Sequence, residues 1–165
     1  MVIVYESKTG FTKKYADMLS GMTSLKSYPT EDLSKIGPQE EIIFLGWMKV
    51  GKIQGLSKAR TRRIIAVCGS GTGRTAEPDL DTVMARNKIE GIPFFYLRGG
   101  CHPLSEIKGL DKLMLSMLVR ILKKSESGDE KNAETIYNIE NGFDGVREEN
   151  LEPIIDWLNT KSYEY

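Results

Sequence analysis

Four short runs of consecutive apolar residues, at 2–5, 42–45, 64–68 and 93–97, recur along the chain with helix-patterned stretches between them. This alternation restricts the fold more than any other feature. Strands with one solvent face alternate apolar and polar residues, whereas strands covered on both faces are apolar throughout, as in parallel sheets flanked by helices. A weaker strand is expected at 24–28, placed mainly by its position between two helical segments. Residues 12–22 carry Tyr15, Ala16, Leu19 and Met22 at helical spacing. A short second helix is expected to open at Thr30, which follows Pro29 as a cap and precedes Glu31-Asp32-Leu33, and to close at Gly37-Pro38. Further helices are expected at 56–61, at 77–88 with Leu80, Val83 and Met84 on one face, and at 150–159. Strand, helix and strand in that order imply an α/β fold, a five-stranded parallel sheet with right-handed crossovers and helices on both faces.

A chain of 165 residues is one domain's worth of polypeptide, and we take 1–165 as a single domain with an insertion over about 101–145. The insertion comprises an apolar helix at 109–124 and a polar loop at 125–132; residues 161–165 are expected to fray. Twenty-three basic residues balance 23 acidic ones, so no global charge favours a nucleic-acid partner, and none is expected. No apolar run reaches the roughly 20 residues of a spanning helix, and the N-terminus opens on a strand pattern, so a cytoplasmic chain is expected. Cys68 and Cys101 are far apart and lack metal-ligand spacing, which fits reduced thiols. His102 beside Cys101 falls short of a metal site.

The chemistry concentrates directly after the first strand, in Ser7-Lys8-Thr9-Gly10-Phe11-Thr12. Hydroxyls at 7, 9 and 12, a glycine that permits close backbone approach, and the unpaired amides of a helix N-terminus all suit a phosphate. A hydroxyl-rich helix cap is the alternative use of the same residues. The loop lacks both the Gly-Lys-Ser/Thr of nucleoside triphosphate sites and the Gly-x-Gly-x-x-Gly of dinucleotide sites. Two further segments, Gly46-Trp47-Met48-Lys49 after the third strand and Gly69-Ser70-Gly71 after the fourth, are expected as loops at the same sheet edge.

Ser7, Thr9, Gly10 and Thr12 match the Thr/Ser-x-Thr-Gly-x-Thr first loop of the flavodoxin superfamily, which the chain resembles. That resemblance implies a doubly wound sheet of order 2-1-3-4-5, with FMN at the switch point between strands one and three. It also implies phosphate binding by residues 7–12, and contact of the flavin ring by backbone around Gly46, Lys49, Gly69, Ser70 and Gly71. Trp47 or Met48 would cover a ring face, or Trp47 is simply a half-buried surface aromatic. Within the superfamily, Gly46-Trp47, Gly51-Lys52-Ile53-x-Gly55-Leu56, the stretch from Pro93 to Gly100, and Gly109-Leu110-Asp111-Lys112-Leu113-Met114 resemble the branch that includes flavodoxin-type protoporphyrinogen oxidases. Cys101-His102-Pro103 departs from the aspartate and tyrosine associated with that branch.

The resemblance implies an FMN-binding flavoprotein that transfers electrons as flavodoxins do, with a redox partner protein or a small hydrophobic substrate. An FMN-dependent oxidoreductase acting on a porphyrinogen or quinone, and a non-catalytic interaction module without FMN, are the alternatives. The apolar helix from Leu110 to Leu122 serves as core, as a homodimer contact, as a substrate surface or as a peripheral membrane contact.

Overall fold

A computed structural model describes residues 1–125 and 129–162. In chain order the elements are β1 (Val2–Glu6), α1 (Phe11–Thr23), β2 (Ser27–Pro29), β3 (Glu41–Lys49), β4 (Lys52–Ile53), α2 (Leu56–Ala59), β5 (Arg63–Gly71), α3 (Leu80–Arg86), β6 (Phe94–Arg98), β7 (Gly100–Cys101), α4 (Gly109–Lys124), α5 (Glu130–Asn141), β8 (Phe143–Asp144) and α6 (Glu152–Ser162). Short 3-10 helices span Thr30–Lys35 and Glu148–Leu151. The chain divides into two compact units. The first is Met1–Gly99 with the segment from Gly145 onward, and the second is Gly100–Asp144, close to the insertion read from sequence.

In the first unit β2, β1, β3, β5 and β6 pair in that order, all parallel, and β4 pairs antiparallel with the end of β3. Setting aside β4, the order is the expected 2-1-3-4-5. Alternate residues of each strand go to opposite faces. Ile3, Ile43, Leu45, Ala66, Cys68 and Leu97 pack with Tyr15, Ala16 and Leu19 of α1 and Ile154 of α6. Val4, Ile42, Phe44, Val67 and Phe94 pack with Leu56 and Ala59 of α2 and Val83 of α3. Helices on both faces are what uninterrupted apolar strands require, because either face left bare would expose a row of large side chains.

Several boundaries differ from expectation for local reasons. β3 and β5 run on past Leu45 and Cys68, so Gly46, Trp47, Met48, Lys49, Gly69, Ser70 and Gly71 lie within strands, not loops. Val50 (φ 50°) and Gly51 (φ 70°) both take the left-handed conformation and turn β3 directly into β4, the geometry favoured by two-residue hairpins. α3 begins at Leu80 because the Asp79 carboxylate caps it, accepting from the Thr82 amide at 2.8 Å and from the Thr82 hydroxyl at 2.8 Å. Thr30 is the first residue of its turn rather than a cap, and its hydroxyl donates to Glu6 Oε2. Ser24, expected in β2, instead ends α1 in the left-handed conformation. α2 is shorter than expected at four residues.

The second unit has a β7–β8 antiparallel pair, with Gly100 opposite Asp144 and Cys101 opposite Phe143, and two helices. The polar loop expected at 125–132 is overturned at its C-terminal end, where Asp129 accepts from the Lys131 amide and starts α5; residues 126–128 lie outside the described residues. Lys123 of α4 pairs with Glu140 of α5 at 2.6 Å. At the C-terminus, α6 includes Lys161 and Ser162, which were expected to fray, and residues 163–165 lie outside the described residues.

The hairpin is pinned by one buried amide. Asn87 Oδ1 accepts from the Ile53 amide at 2.8 Å, and Asn87 Nδ2 donates to Gly51 O at 2.7 Å and Val83 O at 2.8 Å. Asn87→Ala strands these groups in a buried site, so urea denaturation followed by tryptophan fluorescence should give a loss of about 2–3 kcal/mol.

Candidate functional site

β1 delivers the first loop at its carboxyl end. The Glu6 side chain lies on the face of Val2 and Val4, where its Oε2 accepts the Thr30 hydroxyl hydrogen and lies 3.6 Å from Lys58 Nζ. The chain then turns through Ser7 to Gly10. Ser7 Oγ accepts from the amides of Gly10 and Lys13, both at 3.2 Å, and so closes the loop onto the first turn of α1. With two amides accepted, the hydroxyl still has its own hydrogen to donate. Gly10 takes φ 94°, and a Cβ placed on it would meet no atom within 4 Å, so the space beside the loop backbone is open. Lys8 and Thr9 are exposed, whereas Phe11 and Thr12 are buried.

Lys8, Lys13 and Lys14 surround the loop. The Lys8 ammonium lies 5.3 Å from the centroid of the Trp47 ring, and that of Lys14 lies 5.2 Å from the Phe11 ring. Lys13 pairs with Asp17 at 2.6 Å; the hydrogen bond to that carboxylate and its negative charge raise the Lys13 pKa. The macrodipole of a 13-residue helix, α1, adds partial positive charge at the same place. The loop is thus open, rich in donors and electropositive.

β3 and β5 bring the second set of residues to this edge. Trp47 is opposite Ser70 and Gly46 is opposite Gly69. Strand alternation places Trp47 and Ser70 on the α1 side of the sheet, in the rows of Leu45 and Cys68. There they join the first loop, through Lys8 over Trp47 and through Gly99, at which a Cβ would lie 2.6 Å from Ser70 Oγ and 3.7 Å from Phe11 Cβ. Lys8, Phe11, Trp47 and Ser70 are therefore brought together. Lys49 is exposed in the hairpin, paired with Lys52 of β4.

Met48, Gly69 and Gly71 belong to the opposite side. A Cβ on Gly69 would lie 2.7 Å from Met48 Sδ, one on Gly71 would lie 2.8 Å from the Tyr96 hydroxyl, and one on Gly46 would lie 2.5 Å from Gln54 O. These glycines make room for neighbours that lie across the strands. Next to them is a cleft of about 360 Å³, lined by Met48, Gly51, Gly71, Glu77, Arg86 and Tyr96 among others. Arg86 donates to Val50 O at 3.1 Å and holds the hairpin tip on one wall. Tyr96 donates to Gly73 O at 2.7 Å and fixes the other.

Glu77, Arg86 and Tyr96 are absent from the site read from sequence. Tyr96 had a usable signal: it shares parity with Phe94 and sits at the carboxyl end of an apolar run, where a glycine-rich neighbour strand needs a large partner. Arg86 and Glu77 carried none, since each reads as a solvated charge beside a helix. Cys68 is fully buried and desolvation pushes its thiol pKa up, which removes it from thiolate chemistry at neutral pH. Among the described residues no group of three His, Cys, Asp or Glu side chains converges as metal ligands.

Burial, with the nearby Glu77 charge adding and Arg98 opposing, raises the Tyr96 pKa above the ordinary value of 10.0. A phenol that stays protonated in the folded state and ionises when unfolded costs stability at high pH: its contribution is complete below pH 10.0 and is lost as pH rises through the higher folded value. Tyr96→Phe should lower stability at neutral pH by about 1 kcal/mol and flatten the alkaline fall, as measured by urea midpoints across the alkaline range. In comparisons with protein-family models and with curated proteins, nothing matches this chain.

Proposed function

We propose that this chain is a flavodoxin-like, FMN-binding electron-transfer protein with a doubly wound fold. Residues 7–12 seat the ester phosphate, and the carboxyl ends of β3 and β5 receive the ring. One observation carries the reading: Ser7 closes the β1–α1 loop onto a helix N-terminus where the strand order reverses, with β2 on one side of β1 and β3 on the other. Open parallel sheets bind ligands in the crevice at that switch point, and helix N-termini favour phosphate.

The residues suit this cofactor. The open space beside Gly10 admits phosphate oxygens to the backbone, the hydroxyls of Ser7 and Thr9 are at hand, and Lys8 and Lys14, with Lys13 already paired to Asp17, add positive charge. β1 and β5 are two strand spacings apart, about 10 Å, a span suited to the ribityl chain between phosphate and ring. Bound FMN supplies hydride and single-electron chemistry. The chain's own part is to bind, orient and shield. Trp47, held beside the loop by Lys8, offers an apolar wall, and the hydrogen bond from Tyr96 to Gly73 O positions the backbone that follows β5. Electrons pass to a redox partner protein or a small hydrophobic substrate. Both cysteines are free, which supports a cytoplasmic setting.

Purified protein should be yellow or become so with FMN, and titration should quench flavin fluorescence. Thr9→Ala, at an exposed position, should weaken FMN binding about tenfold with an unchanged thermal midpoint. Protein that neither carries nor takes up FMN overturns the proposal, and equal loss of affinity and stability in the variant overturns the phosphate assignment.

A further inference from the structure

The second unit carries a surface that the cofactor reading does not use. α4 buries Val119 and half-buries Leu115 and Leu122, which occupy one side of the helix. Its other side is apolar and exposed. Leu110 is 84% exposed, Leu113 59%, Met114 45%, Met117 54% and Ile121 63%, with Leu118 also open. At 3.6 residues per turn these positions form one continuous stripe. Arg120 and Lys124 border it, and Lys112 and Lys123 lie behind them on the polar face. Asp111 is the sole acidic residue of the helix. Lys123 is already paired with Glu140, so the border charge is carried by Arg120 and Lys124, with Lys112 adding positive charge on the polar face behind them.

We propose that α4 docks this protein on an anionic phospholipid surface, lying flat with the apolar stripe among the acyl chains and the basic border among the headgroups. A helix with an exposed apolar side, a cationic polar side and low overall hydrophobicity has the character of an interfacial helix. No helix of the described residues is long and apolar enough to cross a membrane. A second copy of the chain fits less well. A 16-residue helix is about 24 Å long and roughly 10 Å wide, so its stripe offers far less than the roughly 800 Å² per partner of a stable interface. Pairing two such stripes would also bring two basic borders together. A bilayer imposes neither penalty, since one helix suffices and the charges are complementary.

The test is co-sedimentation of the full chain with vesicles of phosphatidylcholine alone and of equal parts phosphatidylcholine and phosphatidylglycerol. Binding is expected to the mixed vesicles, about tenfold weaker or more to the neutral ones, and reduced by salt. The variant Leu113→Ser, Met117→Ser, Ile121→Ser should lose at least about tenfold in binding. The variant Lys112→Ser, Arg120→Ser, Lys124→Ser should lose the preference for anionic lipid. Circular dichroism should be unchanged in both, because the altered side chains are exposed. Wild-type protein that ignores anionic vesicles, or binds both kinds equally, overturns the proposal. So does a dimer in sedimentation velocity that the apolar variant abolishes, which would assign the stripe to a second copy. None of these readouts depends on FMN.

Discussion

Burial of both faces of the parallel sheet is the constraint on which the first unit depends. β1, β3 and β5 present large apolar side chains alternately to two sides, so helices must cover each, and parallel pairing forces every connection to travel back along the sheet. Because all five strands point the same way, the loops that follow them gather at one edge. The buried Tyr15 is the main polar exception inside this arrangement. Its hydroxyl donates to Arg98 O at 2.5 Å and accepts from Asn150 Nδ2 at 2.6 Å, which ties α1, the end of β6 and the turn before α6 together beneath the candidate site.

The edge is built of backbone more than of side chains. β3 and β5 run on past Leu45 and Cys68, and small residues at 46, 69 and 71 let Gln54, Met48 and Tyr96 lie close across them. The β3–β4 hairpin is then clamped to the end of α3 by Asn87, by Arg86 on Val50 O, and by Lys52 Nζ on Arg86 O at 3.0 Å. Such a site offers amides and carbonyls in fixed positions, suited to holding a planar polar ring edge, while the first loop offers positive charge and hydroxyls. This division of labour is the basis on which FMN, with an anionic end and a flat heteroaromatic end, is proposed as the ligand.

The two units differ in what they leave uncovered. In the first, the large apolar residues are mostly sequestered. In the second, α4 leaves a row of leucine, methionine and isoleucine side chains in solvent, beside lysine and arginine. Exposed apolar area on that scale, with a basic border, is the observation on which the proposed docking to an anionic surface rests.

The parallel strands, their two-sided burial and the loop at 7–12 were legible in the sequence because they rest on local pattern: consecutive apolar residues at 2–5, 42–45 and 64–68, and hydroxyls flanking Gly10 before a helix; the strand order came only from the family resemblance, since local pattern does not fix which strands pair. The hairpin at 49–52 was not. Glycine reads as a loop when its neighbours are unknown, and only the packing of Met48, Phe94 and Tyr96 across β5 explains why 69 and 71 must lack a side chain inside a strand. Residues 129–132 likewise read as a polar loop, since α5 gains its stability from α4 rather than from strong local pattern. Ser7 is read correctly as a loop hydroxyl, yet its role as acceptor for the Gly10 and Lys13 amides depends on a turn geometry that residue type does not encode. The sequence by itself thus determined which faces are buried and where the phosphate-type loop falls, because periodicity and helix-start chemistry are local. Tertiary structure alone decided which side chains share the sheet edge, because Glu77, Arg86 and Tyr96 meet only after distant strands and helices pack.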